Sequence, residues 1–288
     1  MSNKIIEERL KNYKPLTAQE AITDLKEIFQ HIALLALSRA GFFKLAAFQG
    51  GTCLRFCHNL ARFSEDLDFI LINPDKSFSW QTFRSALEAE FAAYELDLKI
   101  QDRTKATAAV KSAFLKSDSF GKILSFTPHF ELAPQQTVSI KIEIDSNPPK
   151  GSQFETHFLN FPISFSLTTR DLQSLFASKC HALLCRKDHK GRDWYDFLWY
   201  ALHSTSLNYL NLEEALNQYG PWAGHNVHLT KEWLLNALKN RVQSLDIEQA
   251  QKDVVPFLHH QDQEITHIWT HALFLDCINK LAHYLPER

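Results

Sequence analysis

No apolar run in the 288 residues approaches the roughly 20 that a membrane span requires. The opening Met1-Ser2-Asn3-Lys4-Ile5-Ile6-Glu7-Glu8 also lacks the apolar core of a signal peptide. A cytoplasmic location without membrane contact is therefore expected. Charge of one sign is missing too: a net charge of −2 gives no bulk attraction to nucleic acid, so any RNA contact must come from a local basic patch. The five cysteines are odd in number and show no Cys-x-x-Cys pair, which argues against a disulfide framework and makes Cys53, Cys57 and His58 a poor zinc set. His267 and His271 have helical ligand spacing, but position 268 is Ile268 where the His-Glu-x-x-His motif needs glutamate, so both are read as packing or surface histidines. No low-complexity tract is present, and 45% hydrophobic residues suffice for one large core or two moderate ones.

What is there is concentrated between Phe48 and Leu71. In Asp66-Leu67-Asp68-Phe69-Ile70-Leu71 the apolar run reads as a strand, and alternate strand residues share a face, so both carboxylates point the same way. Two adjacent carboxylates repel each other unless a cation lies between them. An all-oxygen ligand set suits Mg²⁺, or Mn²⁺, better than a softer metal. Upstream, Phe43 to Phe48 reads as a short strand and Thr52 to Leu60 as a short helix. Gly50 and Gly51 between them let the backbone approach a phosphate at a helix start, and Thr52 adds a hydroxyl. Taken alone, Asp-x-Asp is a solvated strand end and Gly-Gly a turn; their sum, a phosphate cradle one short helix ahead of a carboxylate pair, is more specific.

Gly50-Gly51-Thr52 followed by Arg62-Phe63-Ser64-Glu65-Asp66-Leu67-Asp68 resembles the signature of the AbiEii/AbiGii toxin family, a branch of the DNA polymerase β-like nucleotidyltransferases. The resemblance implies an α+β fold, with a nucleotidyltransferase core of mixed sheet and packed helices over residues 1–165. An α-helical C-terminal domain over residues 166–288 would complete the active-site cleft. It also implies that Asp66 and Asp68 hold Mg²⁺, that Gly50, Gly51, Thr52 and Ser64 position the NTP, and that Arg62 reaches the nucleotide or Asp66. The partners it implies are an RNA acceptor, with a tRNA 3′ end plausible, or a protein acceptor, and a cognate antitoxin in a toxin-antitoxin or phage-defence system. The rivals are a catalytically inactive nucleotide- or RNA-binding module on the same fold and a metal-dependent phosphoester hydrolase.

In chain order, residues 1 to 16 read as a polar arm. Thr17-Ala-Gln-Glu20 has capping-box form before an apolar stripe at Ala21, Ile22, Leu25, Ile28, Phe29, Ile32, Ala33 and Ala36, a long helix with a structural role. Ser79 to Tyr94 reads as a helix and Leu96 to Ile100 as a strand. Arg103 to Lys122 carries five basic residues and one acid, Asp118, either a solvated face or a hold on nucleic-acid phosphates. Lys122 to Leu132 and Thr137 to Asp145 read as a hairpin around Ala133-Pro134-Gln135-Gln136. In Val138-Ser139-Ile140-Lys141-Ile142-Glu143-Ile144-Asp145 the isoleucines share one face and Lys141, Glu143 and Asp145 the other. The resemblance requires a third metal carboxylate on a neighbouring strand, Glu143 by first choice with Asp145 in reserve.

After Phe158 to Phe165, in extended form, the chain turns helical. Thr169 or Asp171 can cap a helix through Arg186. Lys179 near its middle, and then Arg192-Asp193-Trp194-Tyr195-Asp196, resemble the family's later hallmarks. That resemblance assigns Lys179 to the triphosphate and makes Asp193 a base or positioning group, with Arg192 and Asp196 as partners. On a helix, Asp193 and Asp196 are neighbours near the N-terminus, where negative charge is stabilised, so a structural ion network of Arg192, Asp193 and Asp196 is equally open. Helices are expected over Leu212 to Tyr219, Lys231 to Val242, Ile247 to Val255 and Ile265 to Tyr284.

Overall fold

In the computed structural model, which describes residues 2–103, 108–117 and 138–287, the Thr17 hydroxyl accepts a hydrogen bond from Glu20 N at 3.1 Å. That cap starts the 22-residue helix α2 (Ala18–Arg39). The Glu20 carboxylate accepts from Leu16 N at 2.7 Å, completing the reciprocal box one residue early. Nearly every residue of α2 from Asp24 to Leu37 is buried, polar ones included. Residues 1 to 16 are not a polar arm: they form α1 (Ser2–Tyr13), whose Ile6 and Leu10, one turn apart, are buried against α2.

The chain folds as two compact units. The first comprises Met1–His58, Ser64–Pro148 and Thr156–Thr169, and the second Asn59–Phe63, Pro149–Glu155 and Arg170–Arg288. A mixed seven-stranded sheet organises the first unit: β1 (Ala46–Gln49), β2 (Leu67–Leu71), β3 (Lys99–Asp102), β4 (Val110–Ser117), β5 (Val138–Asp145), β6 (Phe154–Leu159) and β7 (Phe165–Arg170), in the order β3-β4-β5-β2-β1-β7-β6. Two more helices belong to this unit: α3 (Gly50–His58), which opens at the glycines, and α4 (Arg84–Ala93). The expected helix from Ser79 is a 3-10 turn, Trp80–Phe83, leading into α4. The partner of β5 in the expected hairpin, Lys122 to Leu132, lies outside the described residues. Within them β5 pairs antiparallel with β4 and parallel with β2. Packing centres on Phe42, whose ring meets Phe69 at 4.9 Å, Phe83 at 5.1 Å and Trp80 at 5.6 Å.

The second unit is built from α5 (Leu172–Cys185), α6 (Gly191–Leu202), α7 (Tyr209–Gln218), α8 (Lys231–Gln243), α9 (Ile247–Val254) and α10 (His271–Tyr284). Asp171, not Thr169, caps α5, accepting from Ser174 N at 2.9 Å. Gly191 opens α6 so close to α9 that a Cβ would lie 1.8 Å from Ala250 O, so only glycine permits this crossing. The expected single helix from Ile265 to Tyr284 is broken: a 3-10 segment, His260–Ile268, ends before Thr270, whose hydroxyl caps α10 by accepting from Leu273 N at 3.1 Å. His267 and His271 therefore sit in different elements. All five cysteines are free thiols. Among the described residues no helix is long and apolar enough to cross a membrane.

Candidate active site

In the first unit, β5 runs parallel to β2 with Asp68 opposite Glu143 and Leu67 opposite Ile142. Paired residues of neighbouring strands share a face, so the alternation that buries Ile140, Ile142 and Ile144 turns Lys141 and Glu143 toward the side of Asp68. Asp66, one residue ahead of β2, shares that side. Asp145 falls opposite Ile70 and accepts from Asn147 N at 2.9 Å in the turn that follows, so the register brings Glu143 rather than Asp145 beside an aspartate. Lys141 Nζ lies 2.8 Å from a Glu143 oxygen. Burial disfavours the Lys141 ammonium, but the hydrogen bond and charge of Glu143 and the charges of Asp66 and Asp68 outweigh it and raise its pKa. Mutual repulsion among carboxylates favours a cation beside them, a part the Lys141 ammonium plays for Glu143; oxygen donors of this kind are also the type a hard divalent ion takes.

The glycine turn is shaped by the same carboxylates. Gly50 has φ +81°, and a Cβ there would meet Asp68 Oδ2 at 2.5 Å. Backbone conformation and the approach of Asp68 both require glycine. Gly51 and Thr52 are buried in the first turn of α3, and the Thr52 hydroxyl donates to Asp66 O at 2.5 Å. Ser64 is buried, and its carbonyl accepts from Gln30 on α2 at 2.8 Å. Arg55 of α3 is paired with the buried Glu27 of α2, which ties the glycine helix to the long one. Of the basic run, Lys105 and Lys122 lie outside the described residues, Lys111 is buried in β4, and the Arg103 guanidinium sits over the Phe114 ring at 5.5 Å.

The second unit holds a separate constellation. Arg62 Nε and Nη2 reach the two Asp196 oxygens at 2.6 and 2.7 Å, a bidentate pair, while Nη1 donates to Phe63 O at 2.9 Å. Lys179 Nζ lies 2.7 Å from Asp193 and 2.7 Å from Asp196, and Arg186 pairs with the other Asp193 oxygen. Burial would push both carboxyls up. The charges of Lys179 and Arg186 on Asp193, and of Arg62 and Lys179 on Asp196, more than offset it and hold both below the ordinary carboxylate range. Lys179 is likewise disfavoured by burial but raised by Asp193 and Asp196. Arg192 stacks on the Phe257 ring at 4.2 Å. Arg186, Lys141 and Gln30 were not singled out by sequence; for Gln30 the available sign was a polar residue inside an apolar helical stripe.

A mixed sheet that sets Glu143 opposite Asp68 beside the Gly50 turn is an arrangement suited to nucleotidyl transfer. Two Helicobacter pylori structures have this fold. One, assigned as a nucleotidyltransferase, gives a TM-score of 0.51 at 16% identity over 93% of this chain and 95% of its own. The other, JHP933, gives 0.50 at 17% identity over 93% and 92%. The family model of the nucleotidyl transferase AbiEii toxin, of type IV toxin-antitoxin systems, matches residues 32–273, and the chain belongs to that family. Nucleotide substrate, divalent metal and a cognate antitoxin are general features that membership carries. No curated protein sequence matches the chain.

Proposed function

We propose that the chain is a Mg²⁺-dependent nucleotidyltransferase that moves a nucleoside monophosphate from an NTP onto an RNA hydroxyl, with a tRNA 3′ end as the acceptor the family resemblance favours. The reading is carried by the register that sets Glu143 beside Asp68, with Asp66 two residues before it. Asp66, Asp68 and Glu143 would hold the divalent ion, which when bound supplies charge neutralisation on the triphosphate and lowers the pKa of the acceptor hydroxyl.

The acceptor oxygen bonds to the α-phosphorus as the bond from that phosphorus to pyrophosphate breaks. The electron pair leaves with pyrophosphate and the hydroxyl proton goes to solvent. Gly50 and Gly51 keep the backbone open to the phosphates at the start of α3, while Thr52 and Ser64 act through the backbone that carries Asp66. Lys179 supplies positive charge for the triphosphate. Asp193 acts as a positioning group for Lys179, since Lys179 and Arg186 engage its two oxygens. Asp196 acts through Lys179, and Arg62 through Asp196.

Incubation of the purified chain with each α-labelled NTP, Mg²⁺ and cellular RNA and protein tests this. Label on RNA that is lost with chelator and in Asp68→Asn is expected. Label on protein alone would move the acceptor class. No label on either, with Asp68→Asn and the parent indistinguishable in cells, overturns the reading.

A further inference from the structure

Gln30 lies in α2, outside every motif of the site, and is 0% exposed. Its Nε2 donates to two successive backbone carbonyls, Ser64 O at 2.8 Å and Glu65 O at 2.9 Å. The next carbonyl, Asp66 O, accepts from the Thr52 hydroxyl at 2.5 Å. Three consecutive carbonyls are thus each held by a side chain, in a stretch from Phe63 to Asp66 that belongs to neither helix nor strand. Irregular backbone has no ladder to keep it in place; Phe63 N donates to Phe257 O at 2.7 Å, and from Ser64 to Asp66 the side chains of Gln30 and Thr52 hold the carbonyls. One turn earlier on α2, Lys26 pairs with Glu65 at 3.1 Å, but both are partly exposed and such a pair contributes little.

Among the described residues the Gln30 Oε1 is buried with no hydrogen-bond partner, a destabilising arrangement that a methionine of similar size would avoid. Reversing the amide would set its oxygen against two carbonyls, so the orientation is decided by chemistry. That cost is offset by what the NH₂ holds, the Ser64 and Glu65 carbonyls.

We propose that Gln30, together with Thr52, is a positioning residue of the nucleotidyl-transfer site, fixing the Ser64–Asp66 backbone so that the Asp66 carboxylate meets the same cation as Asp68 and Glu143. The inference rests on the reading of those three carboxylates as metal ligands. Neither Gln30 nor Thr52 touches the metal. Their effect is on how far the ligand set is preorganised before the ion arrives.

Mn²⁺ binding to the full chain without nucleotide, followed by the paramagnetic signal of the free ion, provides the test. Gln30→Met keeps the volume and removes both donors; it is expected to weaken Mn²⁺ about tenfold to a hundredfold while circular dichroism shows the fold intact. Thr52→Val is expected to weaken it in the same direction and Thr52→Ser, which keeps the hydroxyl, to restore it. If Gln30→Met does not fold, the Thr52 pair decides. A folded Gln30→Met with parental Mn²⁺ affinity, or Thr52→Val and Thr52→Ser binding alike, overturns the proposal and leaves the metal reading standing. Failure of the parent chain itself to bind Mn²⁺ overturns both.

Discussion

At the scale of single residues, the site is crowded enough that small changes have large consequences. Gly50 combines φ +81° with a Cβ position 2.5 Å from Asp68 Oδ2. Gly50→Ala is therefore expected to displace the Asp68 carboxylate and lower nucleotidyl transfer by about 100-fold, with a loss of about 1–2 kcal/mol in stability. Transfer kinetics and chemical denaturation of the same preparation check the two parts. Arg62 and Asp196 make a different kind of prediction. The pair is bidentate and wholly buried, and Asp196 also meets Lys179 at 2.7 Å, so Arg62→Met, which removes one of its two cationic partners, should cost about 1.5–3 kcal/mol. Arg62→Met with Asp196→Leu should recover much of that loss, because no buried carboxylate is then short of a hydrogen-bond partner. A double-mutant cycle by urea denaturation reads the difference; additive losses would remove the pairing argument.

At the scale of elements, α2 does more than cover the sheet. Its apolar stripe was legible from Ala21 to Ala36, and the capping box at Thr17 stands as expected. The polar positions Asp24, Glu27, Gln30 and His31 are buried too, and no periodicity count says what they face. Glu27 meets Arg55 on the glycine helix, and Gln30 meets backbone 34 and 35 residues away. On the proposed reading of its start as the phosphate cradle, loosening α3 by Glu27→Gln is expected to raise the KM for NTP several-fold, with a smaller effect on kcat because the helix reaches Asp66 through the backbone carbonyl that Thr52 holds. Steady-state kinetics with saturating RNA measures the split. A fall in kcat alone would assign Glu27 to the carboxylate side.

At the scale of the whole molecule, stability should depend on pH with two opposing signs. Asp24 is raised to about 7, chiefly by burial and then by the charge of Glu27 and more weakly of Glu20, against Arg55 and Arg9. Its folded pKa lies above its unfolded one, so the folded chain holds the proton more tightly and stability falls as pH rises from about 4 toward 7. Between pH 5 and pH 8 this amounts to about 2 kcal/mol. Asp193 and Asp196 are depressed, so their contribution is present above the ordinary carboxylate range and is lost as pH falls below it. Thermal unfolding across pH 4–8 should show the neutral-side decline in the parent and its absence in Asp24→Asn. A flat profile in the parent would exclude a protonated Asp24.

By itself the sequence determined the local chemistry: alternate residues of a strand share a face, so Asp66 with Asp68 and Lys141 with Glu143 were committed to common sides by spacing alone, and Gly50-Gly51-Thr52 to a turn opening a helix. It also determined family membership through those short motifs. Residues 1 to 16 misread as an arm because their two core residues, Ile6 and Leu10, acquire a partner surface only once α2 exists. The tertiary structure alone supplied the strand neighbours: by alternation Glu143 and Asp145 share a face, and the β2–β5 register puts Glu143 opposite Asp68 and Asp145 opposite Ile70. It likewise decided that Arg62 spends its guanidinium on Asp196, 134 positions away, and that Gln30 holds the strand approach. Periodicity is a property of neighbours along the chain, whereas register and long-range hydrogen bonds are set by which surfaces exclude water together, and no local pattern encodes that pairing.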